Sequence, residues 1–257
     1  MPLIGNIEDL KWNYEEEASG GSKSPMLINT PHLEVRIIVL APGQCPPYHR
    51  HHKEMDEGYL IRQGRGLLTI DGEKFEVRAG DVLLGKRGGY HNLLNIGDED
   101  LIEFNFGGGK MPSGFIAPED DGETPGVDVS GGTPGDGYIR RNIFDEPPES
   151  VPDNEQETGT PNVFATEFLE LFAFSRQSGD RNQIHRHQEA LDEAAYLVRG
   201  EGKMIFHIDG EDIEAAEGDL IHIPGGSWHH VNRISDGDLI VLNLRGGALP
   251  SANQWGK

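Results

Sequence analysis

The chain repeats itself. Laying His49-Arg50-His51 over His185-Arg186-His187 brings Glu57 onto Glu193 and Gly64-Arg65-Gly66 onto Gly200-Glu201-Gly202, at a constant offset of 136 residues. Two extra residues then enter the second copy between Gly202 and Gly210, and the offset becomes 138: Asp71-Gly72 falls on Asp209-Gly210, Gly80-Asp81 on Gly218-Asp219, His91 on His229 and Asn105 on Asn243. A repeat of this length requires each copy to be a supersecondary unit with its own core, so the 257 residues divide into two modest domains rather than one large one. The expected division is 1–109 for the first domain, 110–160 for a linker rich in Gly, Pro and acidic residues, and 161–257 for the second domain. The insertion is expected in a hairpin, where extra residues are tolerated.

Within each copy, short apolar stretches alternate with turn signals. In the first they run from Leu33 to Ala41, Tyr59 to Ile61, Leu67 to Ile70, Val82 to Leu84 and Leu101 to Phe106. Asp71-Gly72 and Asp209-Gly210 are the dipeptides of two-residue hairpins that need positive φ. With Gly 35 and Pro 16 in the composition, the pattern predicts an all-β, antiparallel fold. In the linker, the island Tyr138 to Phe144 either packs on a barrel or opens the second domain's first strand, and the segment around Leu10, Trp12 and Tyr14 invites the same two readings. Exposed sheet edges and apolar terminal segments predict a homodimer or a larger homo-oligomer.

Asp+Glu 44 against Lys+Arg 22 gives a formal charge of -22, which repels phosphate backbones and anionic lipid and argues against nucleic-acid or membrane partners. The opening residues carry Glu15, Glu16 and Glu17 where a secretory signal has a basic and then an apolar region, and no stretch approaches the ~20 apolar residues of a membrane span. Cys45 is the single cysteine, which leaves no intrachain disulfide. The expectation is a cytoplasmic protein acting on a small-molecule substrate.

In an extended strand, alternate residues share a face, so His49 and His51 both turn inward; Glu57 opens the next strand and His91 arrives from a distant one. His185, His187, Glu193 and His229 repeat the set. Three imidazoles and a carboxylate suit a divalent first-row ion, Fe(II) or Mn(II) first, with Ni(II), Cu(II) and Zn(II) compatible, at two sites per chain. Four protein ligands on an octahedral ion leave two positions for substrate or dioxygen.

These residues resemble the motifs of the cupin superfamily, G(x5)H-x-H(x3 or x4)E(x6)G followed by G(x5)P-x-G(x2)H(x3)N. The first copy supplies Gly43, His49, His51, Glu57 and Gly64, then Gly80, Lys86, Gly88, His91 and Asn95; the second supplies Gly179, His185, His187, Glu193 and Gly200, then Gly218, Pro224, Gly226, His229 and Arg233. Both copies place five residues between the second histidine and the glutamate, Lys86 stands where the family has proline, and Arg233 stands where it has asparagine. The resemblance implies two cupin-type double-stranded β-helix (jelly-roll) barrels in tandem. It further implies a metal-dependent dioxygenase that cleaves a carbon-carbon bond, as gentisate-type and flavonol-type enzymes do. The alternatives are a two-cupin isomerase or an oxalate decarboxylase-like lyase on a small carboxylic acid, or a non-catalytic metal-binding or ligand-binding cupin.

Two further residues are candidates for catalysis. Alternation puts Tyr59 on the face of Glu57, where its hydroxyl can donate a hydrogen bond or proton, and puts Arg233 on the face of His229, where it can clamp a substrate carboxylate or sit in a rim salt bridge. Cys45 reads as a structural thiol, and His32, His52, His207, His222 and His230 as non-ligands.

Overall fold

In a computed structural model, residues 3–10, 24–52, 54–85, 87–111, 114, 116–117, 139–145, 163–176, 179, 181–249 and 254–256 are described. The fold is all-β as the turn pattern predicts, apart from one turn of helix at Ile7–Leu10, and every strand pairing among the described residues is antiparallel. Two compact units form. One comprises Leu10–Glu146, and the other Met1–Asp9 together with Pro147–Lys257.

In the first unit a six-stranded sheet runs in the order Ile139–Asn142, Asp81–Leu84, Met55–Gln63, Leu101–Gly109, Leu33–Leu40 and Met26–Asn29. A smaller sheet holds Glu73–Arg78, Arg65–Ile70 and His91–Asn95, and is extended by the bridges His49 to His91 and Arg50 to Ile116. Tyr59, Ile61, Leu83 and Leu101 of the large sheet pack against Leu68, Ile70, Val77 and Leu93 of the small one. That apolar sandwich is the core on which the site is mounted.

The second unit repeats the plan. Its large sheet runs Leu3–Asn6, Asp219–Ile223, Leu191–Gly200, Leu239–Gly247, Leu169–Arg176 and Phe164–Ala165; the other runs Glu211–Ala215, Met204–Ile208, His229–Arg233, His185–Arg186 and Gln254–Trp255. The match extends to irregularities. A β-bulge interrupts the central strand between Ile61 and Gln63 in one unit and between Leu197 and Arg199 in the other.

Three expectations are refined. The island is the edge strand Ile139–Asn142 on Asp81–Leu84, so it packs on the first barrel rather than opening the second. Leu3–Asn6 pairs with Asp219–Ile223, which places the chain's opening strand in the second unit and not in a 1–109 domain. Trp12 and Tyr14 lie outside the described residues. The two-residue insertion also moves. Met204 pairs Ala215 as Gly66 pairs Val77, so the extra residues occupy the loop 201–203 that leads into the hairpin, not the hairpin itself.

At the hairpin tips Asp71 and Gly72 have φ of 47° and 84°, and Asp209 and Gly210 have φ of 49° and 88°, as a type I′ turn requires. Nothing lies within 4 Å of a Cβ built on Gly210, so a methyl there meets no atom and feels only the backbone. Gly210→Ala should therefore cost about 1 kcal/mol, read as a lowered urea midpoint with unchanged m-value. An unchanged midpoint would contradict the turn assignment.

Candidate metal centres

Backbone pairing assembles the ligands. His49 and His91 exchange both backbone hydrogen bonds, at 3.1 and 2.7 Å, and His185 is registered opposite His229. Side chains on directly opposed residues project to the same side, so each pair meets inside its barrel. His51 and His187 join two residues on. The three ring centroids lie 4.5, 5.0 and 5.3 Å apart in the first barrel, and 4.3, 5.1 and 5.4 Å apart in the second.

The ring orientation is fixed from behind. Nδ1–H of His49 donates to the Pro47 carbonyl at 2.9 Å, that of His91 to Gly89 at 3.1 Å, that of His185 to Gln183 at 2.8 Å, and that of His229 to Ser227 at 3.0 Å; His51 Nδ1 donates to Gly114. A carbonyl accepts only, so each of these five rings carries its proton on Nδ1 and, when neutral, turns the lone pair of Nε2 inward. In each barrel the three imidazoles offer ligand atoms within 4.8 Å of one another.

Glu57 reaches the first cluster from Met55–Gln63, with Oε1 3.2 Å from His51 Nε2 and Oε2 3.1 Å from His91 Nε2. Two ligands at right angles around an ion, each ~2.1 Å from it, stand about 3.0 Å apart, so these separations suit neighbouring ligands of one first-row cation. Glu193 lies 2.7 Å from His187 Nε2 and 3.8 Å from His229 Nε2. The buried Nε2 of His229 makes no hydrogen bond, which suits an atom meant for a metal.

The electrostatics agree. Burial, with His91 and His51 adding repulsion, lowers His49 to about 3, and burial with His229 lowers His185 to about 4, so both rings stay neutral and able to ligate. Burial alone would raise the Glu57 carboxyl, but His51 and His91 outweigh it and hold it well below the ordinary carboxylate range. Burial would likewise lower His51, yet Glu57 outweighs it and raises that ring.

Tyr59 is buried and donates its hydroxyl to Glu57 Oε2 at 2.6 Å, while Asn105 Nδ2 donates to Glu57 Oε1 at 2.8 Å. The carboxylate is thereby fixed. A cavity of about 50 Å³ opens beside the cluster, lined also by Arg36, Ile38, Leu68 and Glu103. Glu103 is buried, and burial raises its carboxyl to about 8, partly offset by Asn105 and Arg36, which favours the protonated acid. Neither Arg36 nor Glu103 was singled out from sequence. The available signal was a charge inside an apolar strand at the inward parity of Asn105.

Arg233 is not at the site. Its guanidinium is buried and donates to the carbonyls of Lys203 at 2.8 Å, Asp236 at 3.4 Å and Gly237 at 2.6 Å. The expectation of a carboxylate clamp is corrected: these bonds occupy the group with main chain. Its counterpart Asn95 does the same work with Nδ2 on Leu40 and Glu99. The larger side chain fits because a Cβ on Gly202 would lie 1.5 Å from its Nη2, so the lengthened loop and the arginine belong together. Lys86 lies outside the described residues. Among the five histidines read as non-ligands, His207 pairs with Asp212 and stacks on His230 at 4.1 Å, and His222 lies 3.2 Å from Asp192.

Compared with known proteins, the cupin domain matches residues 36–104 and again 174–245. The chain belongs to the cupin family, with one cupin domain in each half. A stretch of 63 residues is 35% identical to an acireductone dioxygenase of Acidiphilium cryptum, covering 24% of this chain and 35% of that protein. Another of 73 residues is 33% identical to an oxalate-binding protein of Thermotoga maritima, covering 27% and 60% respectively. The chain therefore matches only part of the length of these relatives. Salicylate 1,2-dioxygenase from Pseudaminobacter salicylatoxidans shares the fold at a TM-score of 0.67, over 92% of this chain and 81% of that one, with 15% identity.

Two predictions follow from this geometry. With excess metal, His51→Ala and His187→Ala should each lower bound metal from two ions to one, by elemental analysis, since each removes one ligand from one site; a variant that keeps both ions contradicts the ligand sets. In metal-free protein, His49 and His185 titrate below the 6.5 of an unfolded chain, so the unfolded state takes up their protons first as pH falls. Stability should decline from about pH 6.5 toward pH 4, with His51 opposing in part, and a urea midpoint that rises over that window would contradict the assignment.

Proposed function

We propose that the protein is a metal-dependent oxidoreductase, a dioxygenase that cleaves a carbon-carbon bond in a small oxygenated substrate. One observation carries this reading. In the first barrel three imidazoles and a fixed carboxylate converge on one point beside a cavity that Arg36, Glu103 and Asn105 also line. When bound, a divalent ion such as Fe(II) or Mn(II) supplies Lewis acidity and open coordination positions for substrate and dioxygen.

The residues around it divide the remaining work. Tyr59 and Asn105 hold Glu57 at both oxygens, so the ligand carboxylate does not swing when substrate enters. Arg36 lines the cavity, with Nη2 held by Glu34 at 3.3 Å, and its remaining guanidinium donors can meet an anionic oxygen of the substrate. Glu103, whose carboxyl burial raises, can give a proton to a departing oxyanion and take it back. The dioxygenases among the chain's relatives support this choice, one as a partial sequence match and one through fold.

Glu103 also favours a second reading. A protonated carboxylic acid beside a Lewis-acid site is what an isomerase or decarboxylase-type lyase on a small carboxylic acid needs, with no net oxidation by dioxygen. Oxygen-electrode measurements on the Fe(II)-loaded protein, with hydroxy acids, diketones and catechol-like compounds, separate the two. Oxygen uptake equal to substrate loss is expected. Turnover that persists in an anaerobic chamber would overturn the dioxygenase in favour of the lyase or isomerase.

A further inference from the structure

The two metal centres share their histidines but not their surroundings. In the first barrel Glu57 is registered directly opposite Gly107, and in the second Glu193 is registered directly opposite Arg245. The offset of 138 makes Gly107 and Arg245 counterparts. Gly107 offers Glu57 no side chain, so among the described residues its hydrogen-bond donors besides the histidines are the neutral groups of Tyr59 and Asn105, while the Arg36 guanidinium of the same cavity is bonded to Glu34 at 3.3 Å rather than to the ligand carboxylate. Arg245 is 1% exposed, and its Nε donates to Glu193 Oε2 at 3.2 Å. That oxygen is also the one 2.7 Å from His187 Nε2.

Other substitutions hold the guanidinium in place. Phe172 stands where the first barrel has Arg36, and the Arg245 guanidinium lies 4.5 Å over its ring. Ala195 replaces Tyr59 and Val241 replaces Glu103, both buried, so the inner face near Arg245 is apolar where the first barrel's is polar. Asn243 is retained and donates to Glu193 Oε1 at 2.6 Å. Glu193 already has a resident, desolvated cation as its counter-charge.

We propose that Arg245 makes the two centres unequal: the first-barrel centre holds a divalent ion tightly, and the second-barrel centre binds it at least tenfold more weakly. A guanidinium that engages one carboxylate oxygen withdraws donor strength from it, and it repels a dication brought to within a few ångströms in a water-poor interior. Burial raises the repulsion above its value in water, and one factor of ten corresponds to only about 1.4 kcal/mol. At limiting metal the first barrel, with its polar cavity, fills first and is the reactive centre. This inference rests on the reading of the chain as a metal-dependent cupin, but its test needs no turnover.

The experiment is titration of the metal-stripped full chain with Mn(II), following unbound Mn(II) by its electron paramagnetic resonance signal. Wild-type protein should show two classes of one ion each, at least tenfold apart. His51→Ala should abolish the tight class, and His187→Ala should leave it intact. Arg245→Met, which keeps the stem and removes the charge, should tighten the weak class at least tenfold, because Glu193 then depends on the ion for its counter-charge; Arg245→Lys should leave it weak. Two ions of equal affinity in wild-type protein, or a tight class that survives His51→Ala, would overturn the proposal, and neither outcome requires the arginine variants to fold. Two classes without any oxygen uptake would uphold it while removing the dioxygenase reading.

Discussion

Each metal centre depends on a hydrogen bond made on the side facing away from it. A buried imidazole can present either nitrogen, and the wrong tautomer on one ring turns a proton inward where an ion needs a lone pair. Carbonyls of Pro47, Gly89 and Gly114 in one barrel, and of Gln183 and Ser227 in the other, remove that choice by accepting Nδ1–H. Four of these five carbonyls lie two residues before their own histidine, so the chain entering the strand orients the ligand. Burial then keeps His49 and His185 neutral. The jelly-roll sheets supply the dry walls that make this work.

On that common frame the barrels have diverged in what faces the ligands. The first places Arg36, Tyr59, Glu103 and Asn105 on its inner surface, and a cavity remains beside the histidines. The second places Phe172, Ala195 and Val241 there, and a single arginine neutralises the glutamate. The two units share the strand plan down to a bulge in the central strand, so the differences around the ligands lie in the side chains of the inner face. Small changes in that lining alter charge next to the site without disturbing strand pairing.

The eight proposed ligands were legible in sequence because imidazole and carboxylate at repeated spacing carry their chemistry openly. Asp71-Gly72 and Asp209-Gly210 were legible because few other pairs tolerate their φ. Arg245 and Glu103 were not, since a charge in an apolar strand has meaning only once register is known, and the bulge after Ile61 breaks simple alternation. Arg233 shows the converse error: parity with His229 suggested the site, whereas the side chain turns to the carbonyls of a lengthened loop. Identity of Gly202 with Gly66 misplaced that loop by matching letters rather than backbone. The placement of Leu3–Asn6 in the second unit had no local signal at all, because an edge strand's partner is decided by tertiary proximity.

The most direct test of a three-imidazole, one-carboxylate centre is X-ray absorption at the metal edge of protein loaded with one equivalent of Mn(II) or Fe(II). Three imidazole shells, recognisable by their outer-ring scattering, with oxygen completing a six-coordinate environment at about 2.1 Å, are the predicted result. An ion surrounded by water oxygens alone, with no imidazole scattering, would contradict it.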